Sequence, residues 1–384
     1  MTNSGQSSGA ASAADGAAKL EALRRRIDEI DSDILRKLNE RARVVLEVGA
    51  LKRSTGEPVY SPAREQQILD RLGRENAGPF PGEGLASVFR EIVSATRSLE
   101  QELPVAYFGP EGTFTHLAAK CRFGELAKLN GVPSIEEVFA AVDLGKAQLG
   151  VVPVENTTEG VVTQTLDAFA MSDLSICGEI VLRISLDLFS QSGRVEDVRC
   201  VATHPQPLAQ CRRWLDQHLP GVERIETAST AVAAGLAAAD AGVAAIGSAI
   251  AGEAHSLQTI ESSIEDRRDN TTRFLLIGRQ EPEPTGNDLT SVLFTIRKDE
   301  AGGLHRLIEP MARLGVNLTA LQLRPIAGKH WEYYFFIDIE GHRSDATVAD
   351  ALAAAAEVAQ SHRVLGSFPR ATGAQASRRR GGEE

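Results

Sequence analysis

At 384 residues the chain exceeds what one core organises, and roughly two or three domains are expected. Its 42% hydrophobic residues are ordinary for a soluble globular protein, and no run of eighteen apolar residues offers a membrane span. The net charge of −11 speaks against a nucleic-acid-binding face but leaves room for a local basic pocket.

Residues 1–17 are rich in Ser, Gly and Ala and hold Asp15 but no Arg. They fit neither a signal nor a transit peptide and read as a flexible tail. A helical stripe follows from 18 to about 53. Leu20, Leu23, Ile27, Ile30 and Ile34 recur at alternating three and four, and Leu38, Val44, Val45, Val48 and Leu51 continue it. With no Pro and only Gly49 inside, the pattern predicts one helix of about 54 Å, longer than a small domain is wide, so the stripe needs a partner. Further helices are predicted at 63–74 and 85–101, around the breaker run Gly78-Pro-Phe-Pro-Gly-Glu-Gly84. Helices without strands over 18–102 indicate an interlocked helical dimer.

The charges of this segment are oddly placed. Arg24 flanks the stripe, Arg41 stands where the next apolar residue is due, and Lys52 sits four after Val48. Arg41 and Lys52 lie only about 20° apart around a helix. Burying unpaired cations is costly. Either an anion binds there, or the side chains snorkel and pair with glutamates of a neighbouring helix.

From 103 to 280 the pattern becomes α/β: short apolar runs at 105–108, 149–152, 198–202, 243–246 and 274–277 alternate with helical stretches. Four polar motifs interrupt it: Gly109-Pro-Glu-Gly-Thr-Phe-Thr115, Pro153-Val-Glu-Asn-Thr-Thr-Glu-Gly160, Thr203-His-Pro-Gln206 and Asn270-Thr-Thr-Arg-Phe274. Such loops expose amides and hydroxyls suited to a small oxygen-rich anion. Cys121, Cys177, Cys200 and Cys211 have no CxxC or metal-ligand spacing and read as reduced structural thiols of a cytoplasmic protein. Residues 281–288 form a Pro- and Gly-bearing linker. Over 289–370 strands at 291–297, 317–325, 331–339 and 364–368 and helices at 303–314 and 346–360 give the βαββαβ order of a ferredoxin-like sandwich. Residues 371–384, with Arg378-Arg-Arg380, read as a second tail.

In this order the four motifs resemble the prephenate dehydratase family. The resemblance implies that the ring hydroxyl and ring carboxylate of prephenate leave together, with a donor at the hydroxyl and a grip on the side-chain carboxylate. Carried over by motif, Thr272 is the principal catalytic residue, relaying a proton from Glu155 or His204. Thr113, Asn156, Thr157, Thr203 and Gln210 bind substrate, and Arg273 anchors it. For any single loop, ordinary turn chemistry is the competing account: Gly112 and Gly160 for backbone geometry, Asn156 and Thr157 for capping.

The first segment resembles the all-helical chorismate mutases in Leu23-Arg24, Ile27, Ile30-Asp31, Glu40-Arg41, Glu47-Val-Gly49, Lys52, Pro62 and Arg64-Glu65. This implies Arg24 of a second subunit, Arg41 and Arg64 on the carboxylates of chorismate, Lys52 at its ether oxygen and Glu65 at its ring hydroxyl. Ser61 stands where some members carry Asp. Thr96 and Glu100, four apart on the third helix, replace Ser and Gln. A Glu there donates to the ether oxygen only while protonated.

The last segment resembles ACT modules in Gly302-Gly-Leu304, Gly315-Val-Asn-Leu-Thr319, Arg324-Pro325 and Trp331-Glu-Tyr-Tyr-Phe-Phe-Ile-Asp338. The implied effector is phenylalanine, held by Gly302, Gly303, Leu304, Asn317, Leu318, Gln322, Arg324 and Pro325. Gln322 and Leu323 replace the usual Glu and Ser, and Gly303 an Ala, so a structural dimerisation module with weak or altered effector binding is the alternative. The whole is similar to fused mutase–dehydratases. It implies a multidomain protein with an all-α helical chorismate mutase domain, an α/β two-lobed dehydratase domain and an α+β ferredoxin-like ACT domain. Chorismate and prephenate are its substrates, no metal or organic cofactor is needed, and it forms a homodimer or higher homo-oligomer. An arogenate dehydratase, or a non-catalytic amino-acid sensor retaining these folds, is the alternative.

Overall fold

The computed structural model describes residues 7–55, 60–100, 102–297 and 301–371. The predicted C-terminal tail beyond Ala371 and the first six residues of the N-terminal one lie outside them. The chain divides into two compact units, Met1–Val59 with Ala95–Glu102, and Tyr60–Ser94 with Leu103–Glu384.

In the first unit, α1 runs over Ser7–Thr55. It starts well ahead of residue 18 because Ala10, Ala11, Ala13, Ala14, Ala17 and Ala18 favour helix and no Pro intervenes. Its stripe is uncovered: Ile27 is 57% exposed, and Leu20, Leu23, Ile30 and Ile34 are as open. At Gly49 a Cβ would stand 2.9 Å from Glu100 Cγ, so glycine permits close approach of the two segments.

Two helices follow, α2 (Pro62–Glu75) and α3 (Gly82–Arg97). The Ser61 hydroxyl caps α2 by accepting the Arg64 N–H at 3.2 Å, and Pro62 pre-sets the first turn. Helix α3 stops short of the predicted end. Leu99 and Glu100 N–H groups donate to the carbonyls three residues back, at 3.2 and 2.9 Å, so Glu100 lies in a closing turn rather than on the helix with Thr96.

The α/β region opens with β1 (Pro104–Phe108), α4 (Phe114–Phe123), β2 (Lys128–Val132), α5 (Ile135–Asp143), β3 (Leu149–Asn156), β4 (Gly160–Val161), α6 (Thr163–Met171) and β5 (Ser175–Arg183). A second lobe follows: β6 (Asp187–Ser190), β7 (Cys200–Thr203), α7 (Pro205–Gln210), α8 (Arg212–His218), β8 (Glu223–Glu226), α9 (Thr230–Ala239), β9 (Val243–Gly247), α10 (Ala249–Ala254) and β10 (Gln258–Glu261). The chain then returns to the first lobe as β11 (Thr271–Gly278). The sheets run β2-β1-β3-β11-β5, with β4 beside β3, and β10-β6-β9-β7-β8. Strand β11 is antiparallel to both β3 and β5. The start of β11 therefore lies beside the end of β3, with Thr272 opposite Asn156, and motifs far apart in sequence meet.

The last region comprises β12 (Asp288–Thr295), α11 (Gly303–Arg313), β13 (Leu318–Pro325), β14 (Tyr333–Glu340), α12 (Ala346–Val358) and β15 (Ser361–Pro369), in an antiparallel sheet β13-β14-β12-β15. Alternation sorts the faces. Phe335, Ile337 and Ile339 face Leu307, Met311, Val348 and Ala351 of α11 and α12, while Phe336 joins Leu293 and Phe368 against Val152, Leu275, Ile277 and Phe169 of the first lobe. The opposite face of that lobe's sheet, Val151, Phe274 and Leu276, packs with Ala118 and Phe123 of α4. The α/β region and the C-terminal region thus share one core. All four cysteines are free, and burial pushes the Cys177 thiol up to about 12, as befits a structural residue. Among the described residues no helix is long and apolar enough to cross a membrane.

Candidate active sites

The first unit gathers cations around one carboxyl. Arg41 Nη1 donates to the Thr96 hydroxyl, and Arg53 Nη1 donates to the Glu100 carbonyl at 3.0 Å. Arg41 is half-buried, which lowers its pKa, while Glu100 opposes that shift. Burial raises the pKa of the Glu100 carboxyl; Lys52, Arg53, Arg97 and Arg41 oppose it, Lys52 most strongly. Glu100 Oε2 is buried and has no hydrogen-bond partner among the described residues. Arg41, Lys52, Thr96 and Glu100 therefore converge. Arg53 and Arg97 belong to the same field and carry no sequence signal of their own, being two more arginines among many.

The remaining mutase-type residues have other local surroundings. Arg24 lies on the exposed side of α1. Ser61 is the cap of α2, and the Arg64 side chain is exposed, with Nη1 3.5 Å from Gln67 Oε1. Glu65 is 5% exposed and faces Arg122 of α4, Oε1 to Nη1 3.6 Å.

In the second unit a line of hydrogen bonds crosses the two lobes. Asn156 Nδ2 donates to Thr272 Oγ1 at 2.8 Å and to Asn270 Oδ1 at 2.9 Å. Thr158 and Glu159 N–H groups donate to Asn156 Oδ1 at 2.9 and 3.1 Å and fix which way the amide points. Asn270 Nδ2 donates to Gln210 Oε1 at 3.3 Å, and Gln210 Nε2 is buried without an acceptor among the described residues. The Thr272 hydroxyl accepts from Asn156, so its own proton remains for another acceptor. Asn270, in the motif but not predicted as a site residue, is the bridge of this line.

Around the line, Thr157 seals the start of β11: its N–H donates to the Thr271 carbonyl and its hydroxyl accepts the Thr271 N–H, both at 2.9 Å. Thr113 caps α4, accepting the His116 N–H at 3.3 Å and donating to the Pro110 carbonyl at 2.9 Å. Ser248 of the second lobe donates to the Gly112 carbonyl at 2.8 Å. Thr203 is fully buried, and its hydroxyl donates to the Ile246 carbonyl at 2.8 Å, so its side chain is structural. His204 caps α7 through Nδ1, which accepts the Gln206 N–H at 3.4 Å. Near it stands Glu159, which sequence reasoning passed over. Burial raises its carboxyl pKa, opposed first by His204 and then by a hydrogen bond with Gln206.

Glu155 and Arg273 point the other way, and this corrects their predicted roles. They are paired in register one step from Asn156 and Thr272, and alternate residues of a strand face opposite sides. Arg273 Nε contacts Glu179 Oε2 and Nη1 contacts Asp338 Oδ2, each at 2.6 Å. Burial works against its charge, but Asp338 and Glu179 outweigh this and raise its pKa above the ordinary arginine value. Both Glu155 and Arg273 line a cavity of about 40 Å³ shared with Ser291, Gln322 and Asp338 of the C-terminal domain. Arg273 is therefore held by protein carboxylates, not available to a substrate carboxylate on the Thr272 face.

Of the effector-type residues, Gly302 caps α11 at φ +77°, a conformation favouring glycine, and Gly303 and Leu304 begin that helix. Leu318 opens β13, just after Asn317, and Gln322 stands opposite Phe336. Arg324 Nε donates to Asp167 Oδ1 of α6 at 2.9 Å, beside exposed Pro325. Among the described residues no group of His, Cys, Asp or Glu gathers as a metal site.

Comparison with known proteins matches three family models in series: Chorismate mutase type II over residues 23–101, Prephenate dehydratase over 105–282 and ACT domain over 290–357. A Bifunctional chorismate mutase/prephenate dehydratase of Aquifex aeolicus is 44% identical over 357 residues, 92% of this chain and 98% of the relative. A crystal structure of prephenate dehydratase from Arthrobacter aurescens in complex with L-Phe aligns at TM-score 0.65 and 35% identity, covering 70% of this chain and 90% of its own. A structure described as a novel type of quorum quenching acylase aligns at the same TM-score with 27% identity, covering 70% and 98%. The fold alone thus hosts more than one described activity, and near-full-length relatedness to the two-activity enzyme discriminates between them.

Proposed function

We infer the roles below from one premise: the chain belongs to the bifunctional chorismate mutase/prephenate dehydratase family, and it converts chorismate to prephenate and prephenate to phenylpyruvate. In the first step no bond to the protein forms. Arg41 and Lys52, with Arg24 of a second subunit, hold the carboxylates and stabilise charge developing on the ether oxygen. Thr96 positions Arg41, and protonated Glu100 donates to that oxygen. An acceleration of ~10⁶ corresponds to roughly 8 kcal/mol, within reach of a preorganised cation cage.

In the second step the ring carboxylate leaves as CO₂, its bonding electrons enter the ring, and the ring hydroxyl departs as water after gaining one proton. Thr272 donates to the departing oxygen and Asn156 orients it, while Gln210 Nε2 offers a further donor to the substrate. A threonine is too weak an acid to supply the proton. Glu159, kept protonated to higher pH than a free carboxyl and set beside His204, replaces Glu155 as the source. Phenylalanine binds the ACT domain and inhibits this step. The exposed stripe of α1 makes the protein a homodimer, and its place is the cytoplasm.

The observation that carries the dehydratase assignment is the Asn156–Thr272 contact, which leaves the threonine proton free on the face between the lobes. Purified protein given chorismate should form prephenate and then phenylpyruvate. Glu159→Gln should lower prephenate turnover more than Glu155→Gln does; the reverse ranking would return the proton source to the other face of the strand.

A further inference from the structure

We propose that Arg273 is a positioning residue for the dehydratase, through which Asp338 of the C-terminal domain sets the place of Thr272. The inference rests on the dehydratase reading above and, for its regulatory consequence, on the phenylalanine reading.

Thr272 and Arg273 are consecutive on β11, so any shift of one backbone moves the other. Thr272 presents its hydroxyl to Asn156 on the cleft face, while Arg273 reaches Glu179 of β5 and Asp338 of β14 on the back face. The ladder is irregular at this point. Arg273 pairs with Glu155 but Phe274 pairs with Pro153, leaving Val154 without a partner in register. A bulge re-aims the side chains beside it and weakens the grip of the ladder on the strand end. On its other edge β5 pairs with Thr271, Thr272 and Arg273 in unbroken register, and side-chain anchors add to that ladder where β3 is irregular: Asn156 in front and the Arg273 clamp behind.

The clamp is largely buried, and Arg273 Nη2 has no acceptor among the described residues. The side chains of Arg273, Glu179 and Asp338 are 19%, 5% and 13% exposed, and Ser291 donates a further hydrogen bond to Asp338. Buried ion pairs of this geometry have one good arrangement, and removing a partner strands a charge. Asp338 sits opposite Ala320 on β13, two residues from Gln322, and Gln322 lines the same small cavity as Arg273 and Asp338. A ligand that shifts β13 or β14 thus acts on Asp338, and Asp338 on Arg273. Arg324, on the same strand, ties it to Asp167 of α6, the helix that follows the Asn156 turn.

The test uses the full-length protein carrying Asp338→Asn, Arg273→Lys or Ser291→Ala. The last strands no charge and guards against a variant that fails to fold. We expect kcat for prephenate to fall about tenfold or more in the first two and about threefold in Ser291→Ala, as displacement of a reacting group by a fraction of an ångström does. KM should change less than kcat, and chorismate conversion should be unchanged, showing the protein intact. Asp338→Asn should still bind phenylalanine by calorimetry, yet its prephenate turnover should respond to it less than the wild type does. Unchanged kcat in all three variants overturns the positioning role. Undiminished phenylalanine inhibition of Asp338→Asn overturns the coupling. If the wild type binds no phenylalanine, the effector reading fails separately, and kcat alone upholds or overturns the role of Arg273.

Discussion

Arg41 and Lys52 project from a helix whose apolar stripe faces solvent, whereas Thr272 and Asn156 sit in a line of hydrogen bonds that closes within one chain. In the first region the cations are assembled by a long helix whose apolar stripe this chain leaves exposed. In the second, two sheets and a third domain fix each side chain from both faces. On the proposals above, a site of the first kind depends on association, and a site of the second kind depends on local packing and is tuned by the domain behind it.

The largest effects should come from separating the two. Thr272→Ala removes one donor aimed at a developing negative oxygen and should lower prephenate turnover by roughly 10²–10³ while sparing chorismate conversion. Lys52→Ala should do the reverse. Parallel assays with each substrate check this, and loss of both activities from either change in folded protein would merge the regions that the comparison divides.

A smaller effect should follow from the exposed stripe. Ile27→Glu places a charge at its centre, opposes the proposed association, and should lower mutase activity about tenfold or more at dilute protein, as the proposed contribution of Arg24 from a second subunit requires. Prephenate turnover should change little. Sedimentation with both rates measured over a dilution series would decide it; full mutase activity in a monomer would show that one chain suffices.

Much of this architecture is legible in the sequence, and the exceptions have physical causes. The βαββαβ order and the stripe of α1 follow from periodicity, which reports which residues are apolar together. Periodicity does not say which face of β11 looks into the cleft. That depends on the C-terminal sheet covering Leu275 and Ile277, so Glu155 and Arg273 read as substrate residues until the docking is known. Thr203 lies in the right motif, but its hydroxyl is spent on Ile246, a contact between two strands that no local pattern records. Glu159 escaped notice for the opposite reason. Its carboxyl is made unusual by burial, only partly offset by His204 and Gln206, which come from the other lobe. Motifs name residues; the sheet decides where they point.

The finest test of the contrast is the charge of Glu100. Its carboxyl is raised above the ordinary 4.5 by burial, with Lys52 the first of the groups opposing the shift. The protonated form, the only one able to donate to the ether oxygen, therefore persists to higher pH than in a free carboxyl and is then lost. The sign follows: mutase activity should be greatest on the acid side and fall as pH rises, because deprotonation replaces a donor with a charge that repels the dianionic substrate. A single titrating group permits at most about a tenfold loss per pH unit. Glu100→Gln keeps a neutral donor throughout and should flatten that limb, while prephenate turnover in the same samples keeps its own profile. Mutase rates of both proteins between about pH 5 and 9 measure it. Superimposable curves would mean that Glu100 serves only to close the turn against Gly49, and that Arg41 and Lys52 alone carry the charge on the ether oxygen.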